Sequence, residues 1–270
     1  MNNFFTIIII IIIALILILI NIDTTKFYYE DIKYTLRSQW YKIFYHSINN
    51  NMLDNPTNNI YKFAIITFEN RIEPYVKLHN QILQDYCKKW NYEYLFYNSC
   101  VHNVYWCKMY YVLSALLTNK YDYVLWMDSD SIIKNKNYSL DLIANKYSSD
   151  IFIGSDNKLT TNFCAGVFMI KNSSIGISYI KNCINLHTDK CKIKSNNMLK
   201  GIWAGLCYEQ GIMNLLIFNK YHKYTTCLPT NIIYNYNITE TNDLCDVDTF
   251  ILHLYNSKNF LREKCFKRFL

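Results

Sequence analysis

The sequence predicts an α/β fold: an open sheet with helices packed on it, preceded by an N-terminal transmembrane helix. Three observations carry this reading. From Tyr61 onward, apolar runs of strand length alternate with stretches of helical spacing. One run, Tyr123 to Met127, is apolar throughout and stops at Asp128-Ser129-Asp130, as buried strands of parallel sheets do at their ligand-binding ends. The chain has 270 residues, 51% of them hydrophobic and 18% charged, enough for one α/β core with a short appendage and unlike a disordered composition.

Phe4 to Ile22 is almost wholly apolar and uncharged, long enough to span a bilayer and without the small-residue cleavage site of a secretory signal. Residues 1–22 are therefore expected to be an uncleaved anchor. Residues 23–59 read as a stem ending in an Asn-rich breaker around Pro56, and residues 60–270 as the folded body. In the body, Tyr61 to Phe68 is the first strand. Pro74 suits the first turn of a helix, which Tyr75, His79, Ile82, Leu83, Tyr86 and Trp90 continue at helical spacing. His79 on that apolar face is expected to be a core residue. Tyr92 to Tyr97 is a second strand, Trp106 to Leu117 a second helix, and Tyr123 to Met127 the third strand, with right-handed crossovers. A short helix over Leu140 to Tyr147 follows, then strands over Ile151 to Gly154 and Val167 to Ile170. Helices are expected over Ile175 to Leu186 and from Glu209 onward, with a late strand over Phe250 to Leu254 and a basic tail from Arg262 to Lys267.

The chemistry concentrates where the third strand ends. Side chains two apart on an extended segment point the same way, so Asp128 and Asp130 can aim two carboxylates at one point. Carboxylates that close repel unless a cation lies between them, and a divalent ion with oxygen ligands answers that need. A second Asp-x-Asp, Asp246-Val247-Asp248, has no apolar strand leading into it. Gly166, before the Val167 strand, is a place where backbone can approach a ligand closely. The chain carries no Gly-x-Gly-x-x-Gly and no Gly-x-x-x-x-Gly-Lys, which removes most support for NAD enzymes and P-loop NTPases, and no Cys-x-x-Cys to suggest zinc. The net charge of +7 comes without a dense basic block, so nucleic acid is not the expected partner; an anionic diphosphate fits as well.

Lys26, Lys33 and Arg37 follow the anchor, and the positive-inside rule would leave the body in the cytosol. Ten cysteines, all beyond the anchor, favour the secretory lumen, while the sequons at Asn137, Asn172 and Asn237 are expected by chance in so Asn-rich a chain and add little. The expectation is a single-pass type II protein with a lumenal, ER- or Golgi-like body.

Taken together, these residues resemble a glycosyltransferase of the GT-A fold, whose Rossmann-like mixed sheet carries flanking helices. More specifically they resemble family 34, the fungal α-galactosyl- and α-mannosyltransferases and plant xyloglucan xylosyltransferases. The matching pieces run in family order: Ile65-Ile66-Thr67, Lys108 in Trp106-Cys107-Lys108, Asp122 to Asp130, Asn162 to Asn172, Glu209-Gln210, and His253. The resemblance implies that Asp128, Asp130 and His253 hold a divalent ion on the donor diphosphate; an imidazole beside two carboxylates suits manganese better than magnesium. It implies Thr67 beside the nucleotide base, Lys108 facing donor phosphates, Ser129, Gly166 and Lys258 among the donor-binding residues, Asp156 and Asn162 flanking the donor sugar, and Glu209 and Gln210 near the anomeric carbon. The implied partners are a UDP- or GDP-sugar donor and a glycan or glycoprotein acceptor, with retention of anomeric configuration. Members often carry Asp-Gln where Glu209-Gln210 stands here, and a glycine soon after the late histidine, where this chain has Leu254-Tyr255-Asn256. Two other classes use similar features. A haloacid-dehalogenase-type phosphohydrolase also places Asp-x-Asp after a strand, and a membrane-anchored sugar-binding protein could share the site without turnover.

Overall fold

The computed structural model describes residues 60–156, 163–188, 191, 199–236 and 245–270. The expected anchor and stem, Asn162 and the Asn237 sequon lie outside the described residues. Among the described residues no helix is long and apolar enough to cross a membrane.

The body is a mixed α/β structure. Strands β1 (Phe63–Phe68), β2 (Glu93–Tyr97), β3 (Tyr123–Met127), β5 (Ile151–Ser155), β6 (Phe163–Lys171) and β7 (Thr225–Leu228) form a six-stranded sheet in the order β2-β1-β3-β6-β5-β7. β1 pairs in parallel with β2 and β3, β6 runs antiparallel to both β3 and β5, and β7 is parallel to β5. A second sheet has the order β4-β9-β8, from Ser131–Ile133, Ile251–His253 and Ile233–Asn235. Helices α1 (Pro74–Trp90), α2 (Cys107–Leu117), α3 (Leu140–Lys146), α4 (Ser174–Leu186), α5 (Glu209–Leu216) and α6 (Asn259–Phe266) complete the body.

β3 is central, and its side chains divide between the two faces as strand geometry requires. Val124 and Trp126 join a core with Trp106, Met109, Phe168, Tyr179 and Met213, beneath α2, α4 and α5. Tyr123, Leu125 and Met127 join the opposite core with Ile65, Leu83, Tyr86 and Phe152. A third cluster seats α6 on α1 and the small sheet through Tyr75, Ile132, Leu252, Leu261 and Phe266. Local signals agree with the helix ends. Pro74 opens α1, Asn91 closes it in the left-handed region at φ 55°, and the Ser173 hydroxyl accepts from Gly176 N to start α4.

The sequence-based reading misses β4, β7, β8 and α6. β4, β8 and β9 have three residues each, too short to show a period. α6 looks like a basic tail because its polar face dominates the composition, yet Leu261, Arg262, Cys265 and Phe266 are buried. The ten cysteines divide into three bridges, Cys100–Cys107, Cys191–Cys207 and Cys245–Cys265, and four free thiols, three of them buried.

His79 is fully buried, as expected of a core residue. Its Nδ1 lies 2.6 Å from the Ser131 carbonyl, which can only accept, so Nδ1 carries the proton; Nε2 lies 3.0 Å from the Thr67 hydroxyl. Burial pushes its pKa down to about 4, against the opposing pull of the Ser131 carbonyl, Asp130 and Glu69. A depressed pKa means that the unfolded chain binds the proton more readily. The stabilisation is therefore complete above pH 6.5 and is lost as pH falls through 4, amounting to about 3 kcal/mol. Urea midpoints measured from pH 7 to 4.5 should fall more steeply for the natural chain than for His79→Gln; parallel slopes would rule out this account of His79.

Candidate active site: a carboxylate turn enclosed by cations

β3 delivers Asp128 to the sheet edge, where a tight turn begins. Ser131 N donates to the Asp128 carbonyl at 3.0 Å, and the Ser131 hydroxyl donates to the same oxygen at 2.6 Å. Asp128 and Asp130 thus converge through a turn between β3 and β4. In place of the extended segment that the sequence suggests there is a turn, after which β4 pairs with β9. In that pairing Ser131 stands opposite His253, and Leu254 N donates to the Asp130 carbonyl at 2.9 Å. This register brings the imidazole to the carboxylates from more than a hundred residues away. One ligand atom each from Asp128, Asp130 and His253 lies within 4.8 Å of the others, so the three residues can hold one metal ion.

The histidine is oriented for that role. Asn235 stands opposite His253 in β8, its Nδ2 donates to the Ser155 carbonyl at 2.8 Å, and its Oδ1 lies 2.9 Å from His253 Nδ1. A carbonyl oxygen cannot donate, so Nδ1 carries the proton and Nε2 is turned to Asp130 Oδ1, 3.2 Å away. A second ring nitrogen held in this way is what metal-binding histidines require.

Charge is balanced from several elements. Lys108, buried on α2, lies 3.1 Å from Asp128 Oδ1, 3.0 Å from Glu209 Oε1 and 3.2 Å from the Ala165 carbonyl. Burial disfavours its charge, but Asp128 and then Glu209 prevail and hold its pKa above the ordinary lysine value. Glu209 is buried as well, and burial raises its pKa against the pull of Lys108. The Trp126 indole donates to Asp128 Oδ1 at 2.6 Å. Arg262 of α6 donates to Asp130 Oδ2 at 2.7 Å while its guanidinium lies 5.2 Å from the Tyr75 ring. Burial opposes ionisation of Asp130, but His253 and then Arg262 hold its pKa well below the usual carboxylate range.

The remaining expected residues fall in several places. Thr67 is fully buried, with its hydroxyl 2.9 Å from the Met127 carbonyl as well as beside His79, so the expected contact with a nucleotide base is not available to its side chain. Ser129 turns inward to donate to Glu69 Oε2 at 2.7 Å. That leaves the site face of the turn to the two aspartates. Lys108 directs its three protons at protein oxygens, so contact with a donor phosphate requires one of them to be released. Gly166 admits the His253 ring where a ligand was expected: an added Cβ would lie 2.0 Å from its Cε1. Gln210 accepts from Ala165 N at 2.9 Å and donates to Asp156 at 3.4 Å, which ties the start of α5 to β6. Lys258 is exposed at the start of α6. Before it, Asn256 holds φ 52°, the left-handed conformation a glycine would take, which asparagine tolerates best among other residues. Asp246 pairs with Arg268 at 3.1 Å and takes no part in the metal-capable group, so the second acidic pair of a phosphohydrolase is not assembled among the described residues.

Sequence reasoning missed Arg262, Asn235 and Trp126 as site residues. It also missed Arg71 and Glu69, which pair at 2.6 Å beside the turn. None has a motif: their roles depend on pairings among distant elements. The Tyr255 hydroxyl is buried without a hydrogen-bond partner among the described residues, and the Tyr255 ring centroid lies 5.9 Å from that of His253, so a polar atom on a residue packed beside His253 remains for a ligand to satisfy. Together with the oriented imidazole and the carboxylate turn, this donor set fits a divalent ion and a bound polar ligand.

No protein-family model matches the chain, and no curated protein matches it by sequence. Solved structures do match. A crystal structure of a glycosyltransferase involved in the glycosylation of the major capsid of PBCV-1 superposes with a TM-score of 0.57 at 13% identity, over 77% of this chain and 99% of that one. GlyE, a glycosyltransferase of Streptococcus pneumoniae TIGR4, superposes at 0.47 with 16% identity, over 77% of this chain and 61% of that one, a score too low to carry weight. The chain therefore shares the fold of the first of these proteins.

Gly166→Ala should drive the His253 ring from its place and lower divalent-cation affinity by about tenfold or more, as loss of ligand orientation does elsewhere. Calorimetric titration with Mn²⁺ would show it, and an unchanged affinity in a folded variant would contradict the assigned packing.

Proposed function

We propose that the protein is a metal-dependent retaining glycosyltransferase that moves a sugar from a nucleotide diphosphate donor to an acceptor hydroxyl. The observation that carries this is the convergence of Asp128, Asp130 and His253 at the end of β3, on a fold shared with a solved glycosyltransferase. Asp128, Asp130 and His253 Nε2 would hold the cation, manganese in preference to magnesium, which supplies Lewis-acid neutralisation of the departing diphosphate.

The chain's own residues do the rest. Lys108 keeps Asp128 and Glu209 from repelling each other, and Arg262 offsets the charge of Asp130, so the turn is held in place before a donor binds. The Arg71 guanidinium, exposed and anchored by Glu69, adds positive charge on the Tyr75 side of the turn for an anionic donor. Lys258, on the exposed approach to α6, can add a charge-assisted hydrogen bond to the diphosphate. Glu209 is committed to Lys108 and Gln210 is neutral and bound at both ends, so neither is a ready nucleophile. Front-side attack, with the leaving diphosphate taking the acceptor proton, agrees with that arrangement. Asp156 and the Tyr255 hydroxyl are the groups proposed to meet the donor sugar.

Within this class the likeness to family 34 rests on the sequence motifs, and UDP-galactose, UDP-glucose, UDP-xylose and GDP-mannose are the donors to compare. The acceptor class proposed is a glycan or glycoprotein. A single-pass anchor with a lumenal body remains the proposed setting, supported by the three cysteine bridges.

Screening those four donors with the full chain, with and without Mn²⁺, should show manganese-dependent release of UDP or GDP from one of them. Asp128→Ala should lower that release by about 100-fold or more while the fold persists. A folded Asp128→Ala protein of normal rate would remove the metal assignment. Donor binding without any release, in the presence of acceptor glycans, would favour a sugar-binding protein.

A further inference from the structure

Beside the carboxylate turn stands a group of aromatic rings that the donor chemistry does not use. Trp203 is 53% exposed, an unusual position for an indole, and Ile202 next to it is also exposed. The Trp203 ring centroid lies 5.5 Å from Tyr105 and 4.9 Å from Tyr208, and Tyr105 and Tyr208 are 5.1 Å apart. Tyr208 is buried, so the triad has a fixed base and an open top. Two of its rings are next to the site along the chain. Tyr208 immediately precedes Glu209, whose carboxylate meets Lys108 and, through it, Asp128. Tyr105 lies three residues before Lys108, which reaches Asp128 at 3.1 Å.

The segment bearing Trp203 is held with unusual firmness for an exposed one. Cys207 is bridged to Cys191, and its carbonyl accepts from the Trp106 indole at 3.0 Å. The Gly205 carbonyl packs so closely on the first turn of α5 that a Cβ at Gly211 would lie 2.0 Å from it. Ala204 holds φ 58°, a conformation that costs an L-residue energy and persists only where the surroundings impose it. Strain of that kind next to an outward-facing indole is unexpected in a simple surface turn.

From this we infer that Trp203 and Tyr105 form the acceptor subsite, a stacking platform for the apolar face of a pyranose ring. The inference rests on the glycosyl-transfer reading above and deepens it: the acceptor is a sugar in ring form, not a serine or threonine side chain. The C–H bonds on one face of a pyranose carry partial positive charge and meet the negative face of an indole. Edge groups on the same sugar would reach the Tyr105 hydroxyl, leaving its acceptor hydroxyl turned to the donor. Trp203 then sets acceptor preference without touching the donor, and is a specificity-determining residue.

Saturation-transfer NMR tests this directly on the full chain, using the methyl α- and β-pyranosides of galactose, glucose and mannose as probes. At least one should receive saturation mainly on the C–H protons of a single ring face. That signal should fall severalfold in Trp203→Ala and return in Trp203→Phe. Absence of saturation for all six probes, or a signal that survives in Trp203→Ala, would overturn the inference. A second readout keeps its failure apart from that of the parent reading. The ratio of sugar transfer to donor hydrolysis should drop about tenfold in Trp203→Ala, a 1.4 kcal/mol loss at the acceptor step. A natural protein that turns over donor while the ratio stays unchanged in Trp203→Ala sinks the platform alone; one that releases no nucleotide from any donor, with or without acceptor glycans, sinks the glycosyl-transfer reading, whatever the NMR shows.

Discussion

Two carboxylates separated by one residue on a tight turn repel each other, and much of the body is arranged around holding them together. Asp128 is held by Lys108 from α2 and by the indole of its own strand neighbour Trp126. Asp130 is held by His253 from β9 and Arg262 from α6. Each cation is itself buried and costly to place, so each needs a second anchor: Glu209 and the Ala165 carbonyl for Lys108, the Leu254 carbonyl and the Tyr75 ring for Arg262. The result is a preformed negative centre whose partners come from elements far apart in sequence.

The disulfides follow the same logic. Cys107 adjoins Lys108, Cys207 lies two residues before Glu209, and Cys265 lies three residues after Arg262. Each bridge thus pins the stretch that delivers one member of the charged enclosure. The antiparallel strand β6 contributes in a different way. Inserted between β3 and β5, it brings Gly166 under the imidazole and presents the Ala165 carbonyl to Lys108 and the Ala165 amide to Gln210. Its neighbour Asp128 is fixed to it by a backbone bond of 2.8 Å from Asp128 N to the Gly166 carbonyl. One strand therefore sets the position of the metal-capable group relative to the residues that would meet the sugar.

How far the sequence reveals this depends on the range of the interactions. β3 and the two carboxylates at its end are legible because an all-apolar pentapeptide ending in two acids is a local pattern, although the turn that brings them together is not, and α1 is legible because Pro74 and a long apolar period mark it. His79 is legible as a core residue for the same reason. His253 is reached only through family likeness, since nothing in its own three-residue strand marks it as a ligand. Arg262 and Asn235 are invisible: the first hides in a basic stretch, and the second acts only through the β8–β9 register. Thr67 shows the reverse case: its place in the chain is legible, but the direction of its side chain is not. It lies at the expected end of β1, but the side-chain alternation of that strand turns it into the core toward His79.

The central claim is that Asp128, Asp130 and His253 hold one divalent cation on the donor diphosphate. Pulsed electron paramagnetic resonance of Mn²⁺ bound to the full chain tests it most directly. The account predicts a nitrogen coupling from one directly bound imidazole that disappears in His253→Ala, and a phosphorus coupling that appears when UDP is added. Bound manganese lacking the His253 nitrogen signal, or a UDP complex without phosphorus coupling, would contradict it.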